Sequence, residues 1–121
     1  MASFDLRRDV LNNEDYRRVL YTDPERRQQL VAMCLLPGED IPTEVHTGTT
    51  QFFYVISGKM TAEVNHSSTH VNYLPQSSLI VPPNTYHHII NAGDGKLKLF
   101  TIYSPAEHYA DRVDHRQPIS D

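Results

Sequence analysis

At 121 residues the chain has room for one domain and a single hydrophobic core. Its 39% hydrophobic and 21% charged content is that of a globular protein. A formal net charge of -4 and a pI near 5.9 leave no basic face, which argues against nucleic acid or an acidic membrane surface as a partner.

In chain order, Met1-Ala2-Ser3-Phe4 is followed by no apolar stretch, so no signal peptide is read and a cytoplasmic location is expected. No later run approaches membrane-spanning length. Residues 4–19 are ambiguous: Leu6, Val10 and Leu11 form a helical stripe that Asn12-Asn13 interrupts. Residues 16–21 suit a strand, and Thr22-Asp23-Pro24-Glu25 suits a turn in which proline presets the backbone. Residues 28–36 are apolar on both alternating faces, with Leu30, Ala32, Cys34 and Leu36 on one and Val31, Met33 and Leu35 on the other. Such a strand is unusual in a small lone antiparallel sheet, so its outer face needs a cover. A second subunit is the expected cover, which predicts a homodimer. Cys34, the single cysteine, can form no internal disulfide and reads as a buried, inert thiol.

Residues 59–65 alternate, with Met60, Ala62 and Val64 on the buried face. Asn65-His66-Ser67-Ser68 turns into a strand over 69–74, and Pro75-Gln76-Ser77 turns into another over 78–81. A strand over 86–90 ends in the turn Asn91-Ala92-Gly93-Asp94-Gly95, and 97–103 is the last clear strand. From Ser104-Pro105 the chain is polar and reads as a tail. Many short strands separated by turns imply an all-β sandwich or barrel.

The stretch from Gly38 to Gly58 organises the rest. Glu44 and His46 are two residues apart in an extended run, which puts both side chains on one face. The polar loop 47–50 returns the chain, and Gln51 opens a run of aromatic and β-branched residues that Gly58 ends. A carboxylate oxygen, an imidazole nitrogen and an amide oxygen can therefore meet at one point, and His87 is the candidate fourth ligand. His88 points to the opposite face of its strand, and His66, His70, His108 and His115 read as surface or structural histidines. Phe52, Tyr54 and Ile56 face away from Gln51 and Phe53 and read as an intersheet or intersubunit surface. Thr101 and Tyr103 share a face that reaches toward the cavity; Tyr54, Glu107 and His108 are further acid or base candidates without a placement.

These residues carry a resemblance to the small single-domain cupins. That family's first motif is a glycine, five residues, His-x-His, three or four residues, Glu, six residues, Gly. Gly38, five residues, Glu44-Val45-His46, four residues, Gln51, six residues and Gly58 match its spacing. Glu44 stands where the first His is usual, and Gln51 where Glu is usual. Pro82, Asn84, His87 and Asn91 match the second motif, with Gln76 and Asn84 in place of its glycines. The resemblance covers about residues 28–104 of a single cupin domain spanning 1–121. It implies a double-stranded β-helix, the jelly-roll cupin barrel, with a short N-terminal arm and a polar C-terminal tail.

Two imidazoles, a carboxylate and an amide oxygen suit one divalent transition metal per chain, Mn, Fe, Co, Ni or Zn, better than soft Cu(I). The expected function is a metal-dependent enzyme, an isomerase, lyase or dioxygenase, acting on a small polar sugar- or keto-acid-like substrate at the barrel mouth. The alternative is a module that binds a metal or small ligand without turnover. The fold does not choose between them. Arg17, Arg18, Arg26 and Arg27 lie ahead of the barrel, which disfavours a sugar phosphate.

Overall fold

A computed structural model describes residues 1–119. Among these residues one helix, α1 (Leu6–Asn12), precedes ten strands: β1 (Arg17–Thr22), β2 (Gln29–Leu35), β3 (Asp40–Glu44), β4 (Thr50–Ser57), β5 (Met60–Val64), β6 (Val71–Tyr73), β7 (Ser78–Val81), β8 (His87–Ile90), β9 (Leu97–Ser104) and β10 (Val113–Asp114). They form two antiparallel sheets, β10-β1-β2-β9-β4-β7 and β3-β8-β5-β6. This is the expected all-β jelly-roll barrel. No helix among the described residues is long and apolar enough to cross a membrane.

The core lies between the sheets and includes Val31, Met33, Leu35, Phe53, Val55, Met60, Ala62, Ile89, Leu97 and Leu99. Period-2 alternation explains the choice. Along β4, Gln51, Phe53 and Val55 are buried while Phe52, Tyr54 and Ile56 are half-exposed on the outside. Pro42 is tolerated in β3 because β3 is an edge strand, and its pairing with β8 is irregular between Ile41 and Glu44.

The outer face of β2 has a cover within the chain. Val10 of α1 packs on Ala32 and Phe100, with Leu6, Leu20, Leu30, Phe52, Tyr54, Ile56 and Ile102 around them. The interrupted stripe of the N-terminal arm is therefore a real helix. Asp5 caps its start by accepting from the Arg8 amide, and Asn13 leaves helical geometry and bonds Asp15 in both directions. Cys34 is buried, and burial pushes its thiol up, as expected of an inert cysteine.

The polar C-terminal tail runs back along the barrel. Its β10 pairs with β1, where buried Arg17 meets Asp114 at 2.6 Å. Beyond it, Arg116 donates to Glu39 and to the Cys34 carbonyl, and Gln117 exchanges hydrogen bonds with Asp40.

Two turns answer a question the motif spacing raised. Gln76 has φ +72 and Asn84 φ +63, so both residues standing at the family's glycine positions keep left-handed backbone. Asparagine accepts that geometry easily and glutamine does not. At Gln76 the turn is held by its amide, which donates to the Val55 carbonyl at 2.8 Å.

Candidate metal centre

Sheet register brings the first two site residues together. Glu44 closes β3 directly opposite His87, the first residue of β8. The strand ends at Glu44, so His46 lies in the following loop rather than in the strand itself. Its backbone carbonyl accepts from the Asn84 amide at 2.8 Å, which ties the first motif to the second and holds the loop in place. Gln51 enters from β4, fully buried, opposite Tyr103 of β9 and Val81 of β7.

The side chains converge. Glu44 Oε1 is 3.2 Å from His46 Nε2 and 3.4 Å from His87 Nε2. Gln51 Oε1 is 3.0 Å from His87 Nε2. Candidate ligand atoms of Glu44, His46 and His87 all lie within 4.8 Å of one another.

The surrounding hydrogen bonds define which atoms face inward. The Gln51 amide nitrogen donates to Thr101 Oγ1 at 3.0 Å, which turns its oxygen to the centre. The outer nitrogen of His87, Nδ1, lies 3.0 Å from the Thr85 carbonyl and donates its proton there. That leaves the His87 Nε2 lone pair facing the Gln51 oxygen, two acceptors with no proton between them in the neutral state. Nδ1 of His46 faces the Glu107 carboxylate at 3.4 Å. An acceptor on the outer nitrogen of each imidazole is the arrangement that metal-ligating histidines show. The donor set is therefore compatible with a divalent cation.

Burial pushes the Glu44 carboxyl up, but the hydrogen bonds and charges of His46 and His87 outweigh it and hold it at about 2, against an ordinary 4.5. Burial pushes His46 down, but its bond to Glu44 and the charges of Glu44 and Glu107 outweigh that and raise it.

Above the centre is a cavity of about 370 Å³, lined by Pro42, Thr43, Glu44, His46, Glu107, His108 and Arg112. Its size is that of a small-molecule site. Tyr103 is buried edge-on to His46, with ring centroids 5.7 Å apart, and its hydroxyl is 3.3 Å from His108 Nε2. Tyr54 lies on the outer face, away from the centre. His88 pairs with Asp40, His70 with Glu63 and His115 with Asp15, all outside it.

The structure brings together the four residues that the sequence singled out, and it places Tyr103, Glu107 and His108, three of the acid or base candidates, around them. Arg112 is the rim residue that sequence reading missed, because it sits in a polar run with no strand periodicity.

A barrel of two antiparallel sheets with such a cluster at its mouth defines a cupin, and the chain belongs to the Cupin_2 cupin-domain family, which it matches over residues 31–103. It is 38% identical over 117 residues to uncharacterized protein L612 of Acanthamoeba polyphaga mimivirus, spanning 95% of this chain and 72% of that one. It is 33% identical to uncharacterized protein YrkC of Bacillus subtilis (strain 168), across 85% of this chain and 56% of that one. The crystal structure of BH2720 from Bacillus halodurans superposes with a TM-score of 0.89 at 26% identity, covering 95% of this chain and 89% of that one.

Proposed function

We propose that Glu44, His46, Gln51 and His87 hold one divalent transition metal, and that the chain is a metal-dependent enzyme on a small polar, sugar- or keto-acid-like substrate. The observation that carries this is the convergence of four acceptor atoms, with Thr101 and Thr85 turning those of Gln51 and His87 inward and the Glu107 carboxylate facing the outer nitrogen of His46. A bound ion would supply Lewis acidity toward a substrate oxygen. Against burial, His46 and His87 hold the Glu44 carboxyl well below its ordinary range, at about 2, so it offers a carboxylate near neutral pH. His108 and Arg112 line that cavity beside Glu107 and Thr43, which gives it a polar wall suited to an oxygen-rich substrate. Elemental analysis of protein purified without chelator is the test. Near-stoichiometric Mn, Fe, Co, Ni or Zn is expected, and protein that retains none of the five after reloading would refute the metal reading.

Gln51 gives this reading a signed prediction. Replacing it with glutamate puts a second carboxylate beside Glu44 in a fully buried position, where charge is poorly screened. Metal affinity is expected to rise by ~1–3 kcal/mol, the scale of a charge-assisted contact. Turnover of any substrate the metal polarises slows, because the extra charge weakens the Lewis acid. The apo protein melts lower, because the two carboxylates repel without a cation between them. Competitive metal titration and melts of apo and loaded protein read all three signs. Unchanged affinity in both Gln51→Glu and Gln51→Ala would leave a site of three ligands at most.

The chain also works as a homodimer in this reading. Helix α1 shields Ala32, but Phe52 and Ile102 stay half-exposed and Ile80 is 61% exposed beside them on the same sheet. A second copy packed on this face would bury that patch. Light scattering should give the mass of two chains of 13.9 kDa each, and Ile80→Lys should shift it toward one. A single-chain mass for the unmodified protein at micromolar concentration contradicts the dimer.

A further inference from the structure

Gln29 opens β2 on the same inward face as Val31, Met33 and Leu35, yet it is fully buried and polar. A buried amide is costly unless its hydrogen bonds are made. Here they are made to one segment. Gln29 Oε1 accepts from the amides of Glu107 (3.2 Å) and His108 (2.9 Å), and Nε2 donates to the His108 carbonyl at 2.8 Å and to Thr22 Oγ1 at 3.0 Å. Three of four bonds thus hold residues 107–108.

Other elements hold the same segment. The Ala106 amide donates to the Arg26 carbonyl at 3.0 Å, and the Arg26 guanidinium donates to the His108 carbonyl at 2.8 Å. Buried Thr49 donates its hydroxyl to Glu107 Oε1 at 2.7 Å and lies 3.2 Å from the Pro105 carbonyl. The carboxylate so placed is the one facing Nδ1 of His46, while Nε2 of the same ring faces Glu44.

We propose that residues 105–108 are a fixed strap and that Glu107 is a positioning residue of the metal centre, its carboxylate accepting a hydrogen bond from Nδ1–H of His46 so that the Nε2 lone pair is presented as the ligand. The proposal rests on the metal reading above. Gln29 and Thr49 place the carboxylate, and neither touches the ligand atoms. A carboxylate partner also makes an imidazole a stronger donor than the carbonyl that serves His87. A surface ion pair alone would need no buried glutamine beneath it and would contribute little.

The experiment measures zinc affinity by competition with a chromophoric chelator, and the visible spectrum of the cobalt-loaded protein, for the unmodified chain, Glu107→Gln and Glu107→Ala. Glu107→Ala is expected to weaken zinc binding roughly 10- to 100-fold and to alter the cobalt spectrum, as outer-shell partners of metal-bound histidine do. Glu107→Gln keeps an acceptor of the same shape without the charge and is expected to fall between the two. Should Glu107→Ala fail to fold, Glu107→Gln carries the test alone. A loss of apo melting temperature with unchanged affinity and spectrum would make Glu107 a structural residue and overturn the proposal. So would affinities within about twofold of the unmodified chain, far below that scale. In both cases the metal reading stands, because the unmodified chain still binds. If the unmodified chain binds neither zinc nor cobalt, the metal reading itself fails and the proposal falls with it.

Discussion

His87→Ala is expected to strip the protein of its metal. The substitution removes a buried side chain that meets both Glu44 (3.4 Å) and Gln51 (3.0 Å). It leaves three acceptors around a hole, with no nitrogen opposite His46. The measurement is metal content after desalting, with His46→Ala as a second variant in case the buried His87 is needed for folding. His88→Ala is the control. It sits next in sequence but bonds Asp40 at 2.6 Å, outside the centre, and should retain full metal. Equal metal in His87→Ala and the unmodified chain would remove His87 from the ligand set. The same titration has a defined pH dependence, because ligands must be deprotonated to bind. Glu44 stays ionised until about 2, so it adds no proton competition at moderate acidity. His46 is raised, so its protonation competes first, and affinity should decline as pH falls below that raised value. The linkage in the apo fold has matching signs. The depressed Glu44 stabilises above its ordinary 4.5 and is lost as pH falls toward 2. The raised His46 stabilises below its ordinary 6.5 and is lost as pH rises through its folded value.

Gly58→Ala is expected to be among the most destabilising single substitutions in the chain. Gly58 has φ +89, and a Cβ there would lie 2.5 Å from the Lys96 carbonyl oxygen and 3.0 Å from the Leu97 Cα. Both are backbone atoms at the start of β9 and cannot swing aside. Left-handed strain costs about 1–2 kcal/mol and forced overpacking about 1–3 kcal/mol. The sum, about 2–5 kcal/mol, is a large part of the stability of a typical domain. Two other glycines separate the contributions. Gly38 has φ +87 with nothing within 4 Å, so Gly38→Ala should show the strain alone. Gly48 has neither the positive φ nor a neighbour within 4 Å, so Gly48→Ala should be neutral or slightly stabilising through the unfolded chain. Urea unfolding of the three variants should rank them Gly58, Gly38, Gly48. A Gly58→Ala midpoint equal to that of Gly48→Ala would mean that the β4–β5 turn relaxes freely.

The strands were legible wherever one face was buried. In β4 the alternation of Phe53 and Val55 with Phe52 and Tyr54 follows directly from the two-residue period, whereas in β5 Thr61 is buried beside Met60 and Ala62, and Val64, expected on the buried face, is half-buried. The N-terminal stripe was harder. Seven helical residues ending at Asn12 are too few for a periodic signal to stand out, and the helix forms because Val10 finds Ala32 and Phe100. The apolar outer face of β2 was visible, but the cover that the structure shows is this helix rather than the expected second subunit.

The centre divides in the same way. Glu44, His46, Gln51 and His87 could be named from the sequence because each sits at a fixed step from a glycine, a proline or an asparagine that sets a turn. Local backbone geometry then determines which way each side chain points. The sequence by itself therefore determined the barrel, its strands up to β9 and which donor residues converge, while β10 lay in what read as a tail. Only the tertiary structure decided what surrounds that set. Asn84 clasping the His46 carbonyl, Thr101 orienting Gln51, and Glu107 reaching His46 across some sixty residues of chain are contacts between segments far apart in sequence. Such contacts leave no periodic trace. They exist because closing the barrel brings the C-terminal segment over its mouth, where the buried amide of Gln29 has hydrogen bonds to make.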